Sequence, residues 1–364
     1  MSEEIERWYN NLKRGSEATA EVYHYALTKF CQHYNVTPSS LIKTDEITLR
    51  NLILDYVTLL ESQNKSSSYI STHVKAIKNW LKFNGRNLTI SIKLPKDKRI
   101  SQKERVPSRD ELKKILASAN LKEKAVISLL AFSGVRPNVI GNFSGSDGLR
   151  IRDVVDLKIE DYEVEFETIP AMVKVRRNLS KAGHSYLTFL SREGCYYLEI
   201  YLNSRIRDEG EITPDSPLIS RRGGGFLRTK SVSALVRGAM RRAGFDYRPY
   251  VLRHYFDTYM LLAEAHGLIP RDYRVFWMGH KGDIEHEYTT NKENLPPSLI
   301  ENMRVKYDIA ARTFLETGFF GTREEDNRPK QKVVKPEEID SWLEAGYEYV
   351  TTLPDGRIIV KRGD

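Results

Sequence analysis

Residues 250–290 read YVLRHYFDTYMLLAEAHGLIPRDYRVFWMGHKGDIEHEYTT. Apolar residues after Arg253 recur at helical spacing, and Tyr273, Phe276 and Trp277 before Gly279 read as helix packing. The polar residues carry the chemistry. The chain holds no nucleotide-binding glycine loop, no zinc motif and no obvious acidic pair of a metal-dependent nuclease, so no metal and no cofactor is expected. What remains is a basic set with a tyrosine: Arg253, His280 and Tyr288. A phosphodiester can be cut without metal when a nucleophile stands in line and cationic donors neutralise the non-bridging oxygens. Arginine suits that task because its planar fork donates two hydrogen bonds and keeps its proton.

Upstream of this stretch, Ser108 followed by Glu111 is a capping box leading into ELKKILASA, and EKAVISLLAFSG reads as a buried helix. Strand-like runs at Val164–Phe166, Ala171–Arg176 and Ser185–Leu190 predict one small antiparallel sheet, with RNLSKAG as a hairpin turn around Gly183. Helices follow at about Glu193–Arg207 and Ser231–Ala243. The first ninety or so residues read as all helical. Val22, Ala26, Leu27, Phe30 and Cys31 form one buried face behind a Ser16 cap, and further helices run over Ile47–Leu60 and about Ser67–Phe83. Lys65, Ser67, Lys75, Lys78 and Lys82, with Ser66, Ser68, Tyr69 and His73, make a surface suited to phosphate contacts.

These signals divide the chain into a helical domain at 1–91, a basic linker at 92–107 and a larger second domain at 108–320. A second linker at 321–334 leads to a small helix-plus-hairpin unit at 335–364, with YEYVTTL and RIIVK as its strands. The fold class is mainly α with a small antiparallel β-sheet. The 364 residues carry 57 Lys and Arg against 49 Asp and Glu, a net charge of +8 that suits a polyanionic partner. The acidic, amphipathic start carries no secretory signal, and no apolar run suits a membrane span, so a soluble cytoplasmic protein is expected. Two distant cysteines, Cys31 and Cys195, support neither a disulfide framework nor a thiolate metal site.

The chain resembles the tyrosine recombinase family, which includes phage integrases and archaeal and bacterial chromosome-resolving recombinases. There a His-x-x-Arg segment is followed by a Gly-His pair and, about nine residues on, by a tyrosine nucleophile. Here VLRH gives Arg253, MGH gives His280, and IEHEYTT gives Tyr288 eight residues later. The family's earlier arginine, in a Gly-x-Arg turn after a buried helix, matches Arg136 in LLAFSGVRPNVIGN. Arg150 in GLRIRDVVDLKIEDY competes for that role, but it follows the polar, glycine-rich loop FSGSDG and not a buried helix.

The resemblance implies that Tyr288 attacks, Arg136 and Arg253 clamp the phosphate, His280 donates a hydrogen bond, and Lys181 of NLSKAGH protonates the leaving 5′ oxygen. Tyr250 stands where the family has its first histidine. A site-specific DNA recombinase or integrase follows, working through a 3′-phosphotyrosine without metal or ATP. Its partners would be double-stranded DNA and, through a Holliday junction, three further copies of itself as a tetramer on DNA, with a monomer possible in solution and a nucleoid location. The segment DIAARTFLETGFF after Tyr307 is the candidate for exchange between subunits. Rival readings are type IB topoisomerase chemistry on one duplex, or a DNA-binding protein with impaired cleavage.

Overall fold

The computed structural model describes residues 2–88, 92–94, 104–160, 162–210, 212–280, 295–318, 331–336, 339–344, 347–353 and 356–362. Tyr288 lies outside these described residues, as do most of the two expected linkers. The chain forms two units, Met1–Arg105 and Val106–Asp364.

In the first unit, α1 (Glu3–Gly15), α2 (Glu17–Tyr34), α3 (Pro38–Lys43), α4 (Glu46–Ser62) and α5 (Ser67–Phe83) follow one another closely. Their starts are set by side chains that accept an orphan amide: Ser16 from Thr19, Asp45 from Thr48 and Ser66 from Tyr69. The helices enclose Trp8, Phe30, Leu49, Ile53, Ile77 and Trp80, all fully buried. Trp8 and Trp80 meet edge to face at 5.4 Å. Each indole N–H is satisfied, Trp8 by Asn79 Oδ1 at 2.8 Å and Trp80 by the Pro38 carbonyl at 2.9 Å. Trp8 of α1 thus completes a core that the stripes of α2, α4 and α5 leave open. Two readings from sequence change. His73 is buried against the Tyr56 hydroxyl, with 3.2 Å between Tyr56 Oη and His73 Nδ1. Val22, assigned to the inner face of α2, is 47% exposed.

The second unit begins with α6 (Arg109–Ala117) and α7 (Leu121–Phe132), each opened by a capping box, Ser108 with Glu111 and Asn120 with Glu123. From Ala125 to Phe132 every residue of α7 is buried. It is the central helix, packed by α9 (Arg192–Glu209), α10 (Thr229–Arg242) and α11 (Val251–Ala265). Between α7 and α9 lie the single turn α8 (Pro137–Ile140) and four strands, β1 (Leu157–Glu160), β2 (Glu163–Phe166), β3 (Ala171–Val175) and β4 (Tyr186–Leu190). The strands form two separate antiparallel hairpins, β1 with β2 and β3 with β4, where one sheet was expected. β1 was not foreseen because LKIE alternates over only four residues, too few for a periodic signal.

After α11 come α12 (Arg271–Trp277) and α13 (Pro297–Ala310), which continues into a wider π turn, Ala311–Leu315. The described part of DIAARTFLETGFF packs on its own chain. Ala310, Ala311 and Leu315 are buried, Tyr255 donates to the Leu315 carbonyl at 2.7 Å, and Thr317 donates to the Glu193 carboxylate from Oγ1 at 2.6 Å and from its amide at 2.7 Å.

At the C-terminus, α14 (Ile339–Glu344) and the hairpin β6 (Tyr347–Thr352) and β7 (Ile358–Arg362) occupy the expected small unit. A third strand, β5 (Gln331–Val334), pairs with β7 from within the expected 321–334 linker. The sheet order is β5-β7-β6, and Val334, Ile358 and Val360 form its small core. No helix among the described residues is long and apolar enough to cross a membrane.

Candidate active site

Two tight backbone turns frame the site, and each depends on a glycine. α7 ends at Phe132, and Gly134 then takes φ +66°, a left-handed conformation open mainly to glycine. A Cβ on Gly134 would stand 2.4 Å from the ring of Phe256. The turn delivers Arg136 to the position before α8. Past α12, Gly279 takes φ +57°, and its Cβ would stand 2.4 Å from the ring of Tyr186, the first residue of β4. That turn delivers His280.

Arg253, in the first turn of α11 and only 1% exposed, joins the two. Its Nη1 donates to the Gly134 carbonyl, and its Nη2 donates to the Met278 carbonyl at 2.6 Å and lies 3.4 Å from His280 Nε2. Burial pushes the Arg253 guanidinium down from its ordinary value, and the nearby Arg136 charge adds to this. His280 is likewise held below its ordinary 6.5, first by burial and then by the charges of Arg253 and Arg136. The imidazole is therefore neutral near neutral pH, with Nε2 placed to accept from Arg253 and Nδ1 left to carry the proton.

Three buried donors at this place have no acceptor among the described residues: Arg136 Nη1, Arg253 Nε and the Tyr186 hydroxyl. Burial raises the Tyr186 phenol, while the charges of Arg253 and Arg136 pull it the other way. Buried donors are normally paired, because an unpaired one costs about 1–3 kcal/mol. Two guanidinium groups close enough to disturb each other also call for a compensating anion. An oxyanion with several acceptor oxygens, such as a phosphodiester, fits both needs.

No family model matches the chain. Over 263 residues it is 26% identical to tyrosine recombinase XerA of Pyrococcus horikoshii, an alignment covering 70% of this chain and 77% of that one. Tyrosine recombinase XerD of Oceanobacillus iheyensis matches at 23% identity over 267 residues, 69% of this chain and 81% of its own. Both relatives support a tyrosine recombinase or integrase family for this chain. The fold agrees: a lambda integrase dimer bound to a COC′ core site superposes with a TM-score of 0.53 at 14% identity, covering 80% of this chain and 96% of that one.

Of the two arginines nominated from sequence for the first position, Arg136 is the one whose charge bears on Arg253 and His280. Arg150 is instead tied to carboxylates, 2.8 Å from Asp215 and 3.6 Å from Asp147, and its guanidinium covers the Phe226 ring at 5.6 Å. Tyr250 immediately precedes α11, 43% exposed, with its ring edge-on to His254 at 5.1 Å. Lys181 is exposed in the turn between β3 and β4. Tyr288 lies outside the described residues. The nominated DNA contacts belong to the first unit: Lys65 precedes α5, and Ser67, Lys75, Lys78 and Lys82 lie on it. Lys75, Lys78 and Lys82 follow at spacings of three and four, which places them on one helical face.

Sequence reading missed Tyr186 and Thr188 of β4. Thr188 Oγ1 donates to the Ser133 carbonyl at 2.9 Å, so β4 braces the Gly134 turn at one residue and the Gly279 turn at another. In sequence both residues are unremarkable members of a buried strand, YLTFL.

Proposed function

We propose that this chain is a site-specific recombinase that cuts and rejoins duplex DNA through a transient 3′-phosphotyrosine on Tyr288. The observation that carries this reading is the convergence of Arg136 Nη1, Arg253 Nε and the Tyr186 hydroxyl, buried donors without an acceptor among the described residues, in a chain related to XerA and XerD. Tyr288 Oη attacks phosphorus and gives its proton to solvent water, and the bond to the 5′ oxygen breaks. Arg136 and Arg253 neutralise the charge that grows on the non-bridging oxygens. His280 adds a neutral N–H donor, and Lys181 gives its proton to the departing 5′ oxygen. Rejoining runs the same steps backwards. The phosphotyrosine preserves the bond energy, so neither metal nor ATP is called for. Exchange between two duplexes takes four cuts, one tyrosine each, and hence a tetramer on DNA working through a Holliday junction. The α5 lysines supply backbone contacts, and the protein works where the chromosome lies, in the cytoplasm and nucleoid.

A second reading is a DNA-binding protein with impaired cleavage, favoured by Tyr250, a poor proton carrier in the histidine position. A plasmid assay with two copies of the cognate site separates the readings. Exchanged products that vanish in Tyr288→Phe support recombination. Binding without products supports the second reading, and relaxation without site preference would point to topoisomerase chemistry.

A further inference from the structure

The turn that carries Lys181 is gripped at its base by a residue with no role in the chemistry above. Between β3 and β4 the chain runs from Arg176 to Ser185. Asp147, at the end of the FSGSDG loop, takes the fork of Arg176, with Nη1 donating to Oδ2 at 3.0 Å and Nη2 to Oδ1 at 2.9 Å. Asn178 Nδ2 adds a donation to Oδ2 at 2.6 Å, and the Gly148 amide one to Oδ1 at 2.9 Å. The same guanidinium donates to the Gly148 carbonyl at 2.6 Å and, from Nε, to Asp153 Oδ2 at 3.1 Å.

The loop that offers Asp147 is itself fixed. Asn142 Oδ1 accepts the amides of Gly145 and Ser146 at 2.8 and 2.9 Å, and the Asn142 amide donates to the Asp147 carbonyl at 2.8 Å. On the other side of the turn, Asn138, two residues after Arg136, donates to the Leu179 carbonyl at 3.2 Å. Burial alone would raise the Asp147 carboxyl, but Arg176, Gly148 and Asn178 outweigh it and hold the group below the ordinary carboxylate value. It is therefore ionised throughout the neutral range.

We propose that Asp147 is a positioning residue for the general acid: by holding Arg176 and Asn178 it fixes the turn from which Lys181 meets the leaving 5′ oxygen. This rests on the reading of Lys181 as that acid. An exposed lysine on an untied ten-residue turn would sample many positions, and misplacement by about 1 Å can cost about 100-fold in rate. The FSGSDG loop, which looks like an insertion in sequence, thereby gains a purpose.

The test compares cleavage of an ordinary DNA substrate with one whose 5′ bridging oxygen at the scissile phosphate is sulfur. With sulfur the P–S bond breaks and a thiolate leaves unprotonated, because a thiol is a far stronger acid than an alcohol and needs no proton donor. Asp147→Asn is expected to slow cleavage of the oxygen substrate by about 10- to 100-fold, with DNA affinity unchanged, and to regain near wild-type rate on the sulfur substrate. Lys181→Ala should follow the same pattern with a larger loss. Asn178→Ala, which removes one hydrogen bond and leaves the Arg176 fork, should show a smaller loss with the same recovery, so the test survives poor folding of Asp147→Asn. If Lys181→Ala stays slow on sulfur, the acid assignment fails and the role of Asp147 falls with it. If Lys181→Ala recovers while the Asp147 and Asn178 variants are unimpaired on oxygen, or stay slow on sulfur, the positioning role alone is overturned.

Discussion

Nη2 of Arg253 lies 3.4 Å from Nε2 of His280, while the same nitrogen donates to the Met278 carbonyl at 2.6 Å. A single guanidinium thus sets both the histidine and the backbone turn that presents it, besides holding the Gly134 carbonyl next to Arg136.

Replacing Arg253 should therefore damage more than charge. Arg253→Lys keeps a cation but cannot reach the Gly134 and Met278 carbonyls and the phosphate together. Cleavage is expected to fall by about 100- to 1000-fold, the range for losing one transition-state donor. Stability should drop by about 1–3 kcal/mol for each carbonyl left unpaired. Single-turnover cleavage and thermal melting measure the two effects, and loss of activity with an unchanged melting temperature would contradict the shared role.

His280 has a folded pKa below 6.5, so the folded protein favours the neutral ring. The unfolded chain takes up the proton first as pH falls, and the stability due to this group, present in full above 6.5, is lost as pH drops through the folded value. An NMR titration of the free protein should place the His280 midpoint below 6.5. A midpoint above it would mean that neither burial nor the two arginine charges act on the ring as the structure implies.

The Tyr186 hydroxyl is buried with no acceptor for its proton among the described residues, so Tyr186→Phe should change stability little. Cleavage should nevertheless fall by about 10-fold, near the 1.4 kcal/mol of a single hydrogen bond. Gly279→Ala should destabilise the fold, melting lower because the added carbon meets the Tyr186 ring at 2.4 Å and the left-handed backbone is strained.

His73 in the first unit is pushed down to about 4 by burial beside Tyr56. Its contribution is present above 6.5 and is lost as pH falls towards about 4. Hydrogen exchange of α5 amides should show protection weakening over that window, and His73→Asn should flatten the dependence.

Local signals made part of this legible. The capping box at Ser108 and Glu111 and the stripes of α4 and α5 are written within a few residues. Contacts across long separations were not. The preference for Arg136 over Arg150 came from the helix before it, but the carboxylates that pair with Arg150 and the charge of Arg136 on Arg253 appear only in the fold. Nothing in DIAARTFLETGFF foretold that the Tyr307 hydroxyl at its head would bond to the Phe132 carbonyl, or that Thr317 would find Glu193. Asp147 was invisible for the same reason, since its partners lie about thirty residues away on another element.

The central claim is a covalent bond between Tyr288 and the 3′ phosphate. A duplex carrying the cognate site, nicked close to the crossover point so that the short 5′-hydroxyl fragment is lost, traps that intermediate. Denaturing electrophoresis and peptide mapping should find the DNA on the peptide containing Tyr288 in the wild type and nowhere in Tyr288→Phe. An adduct that persists in Tyr288→Phe, or a wild-type protein that binds the site and forms none, would contradict the account.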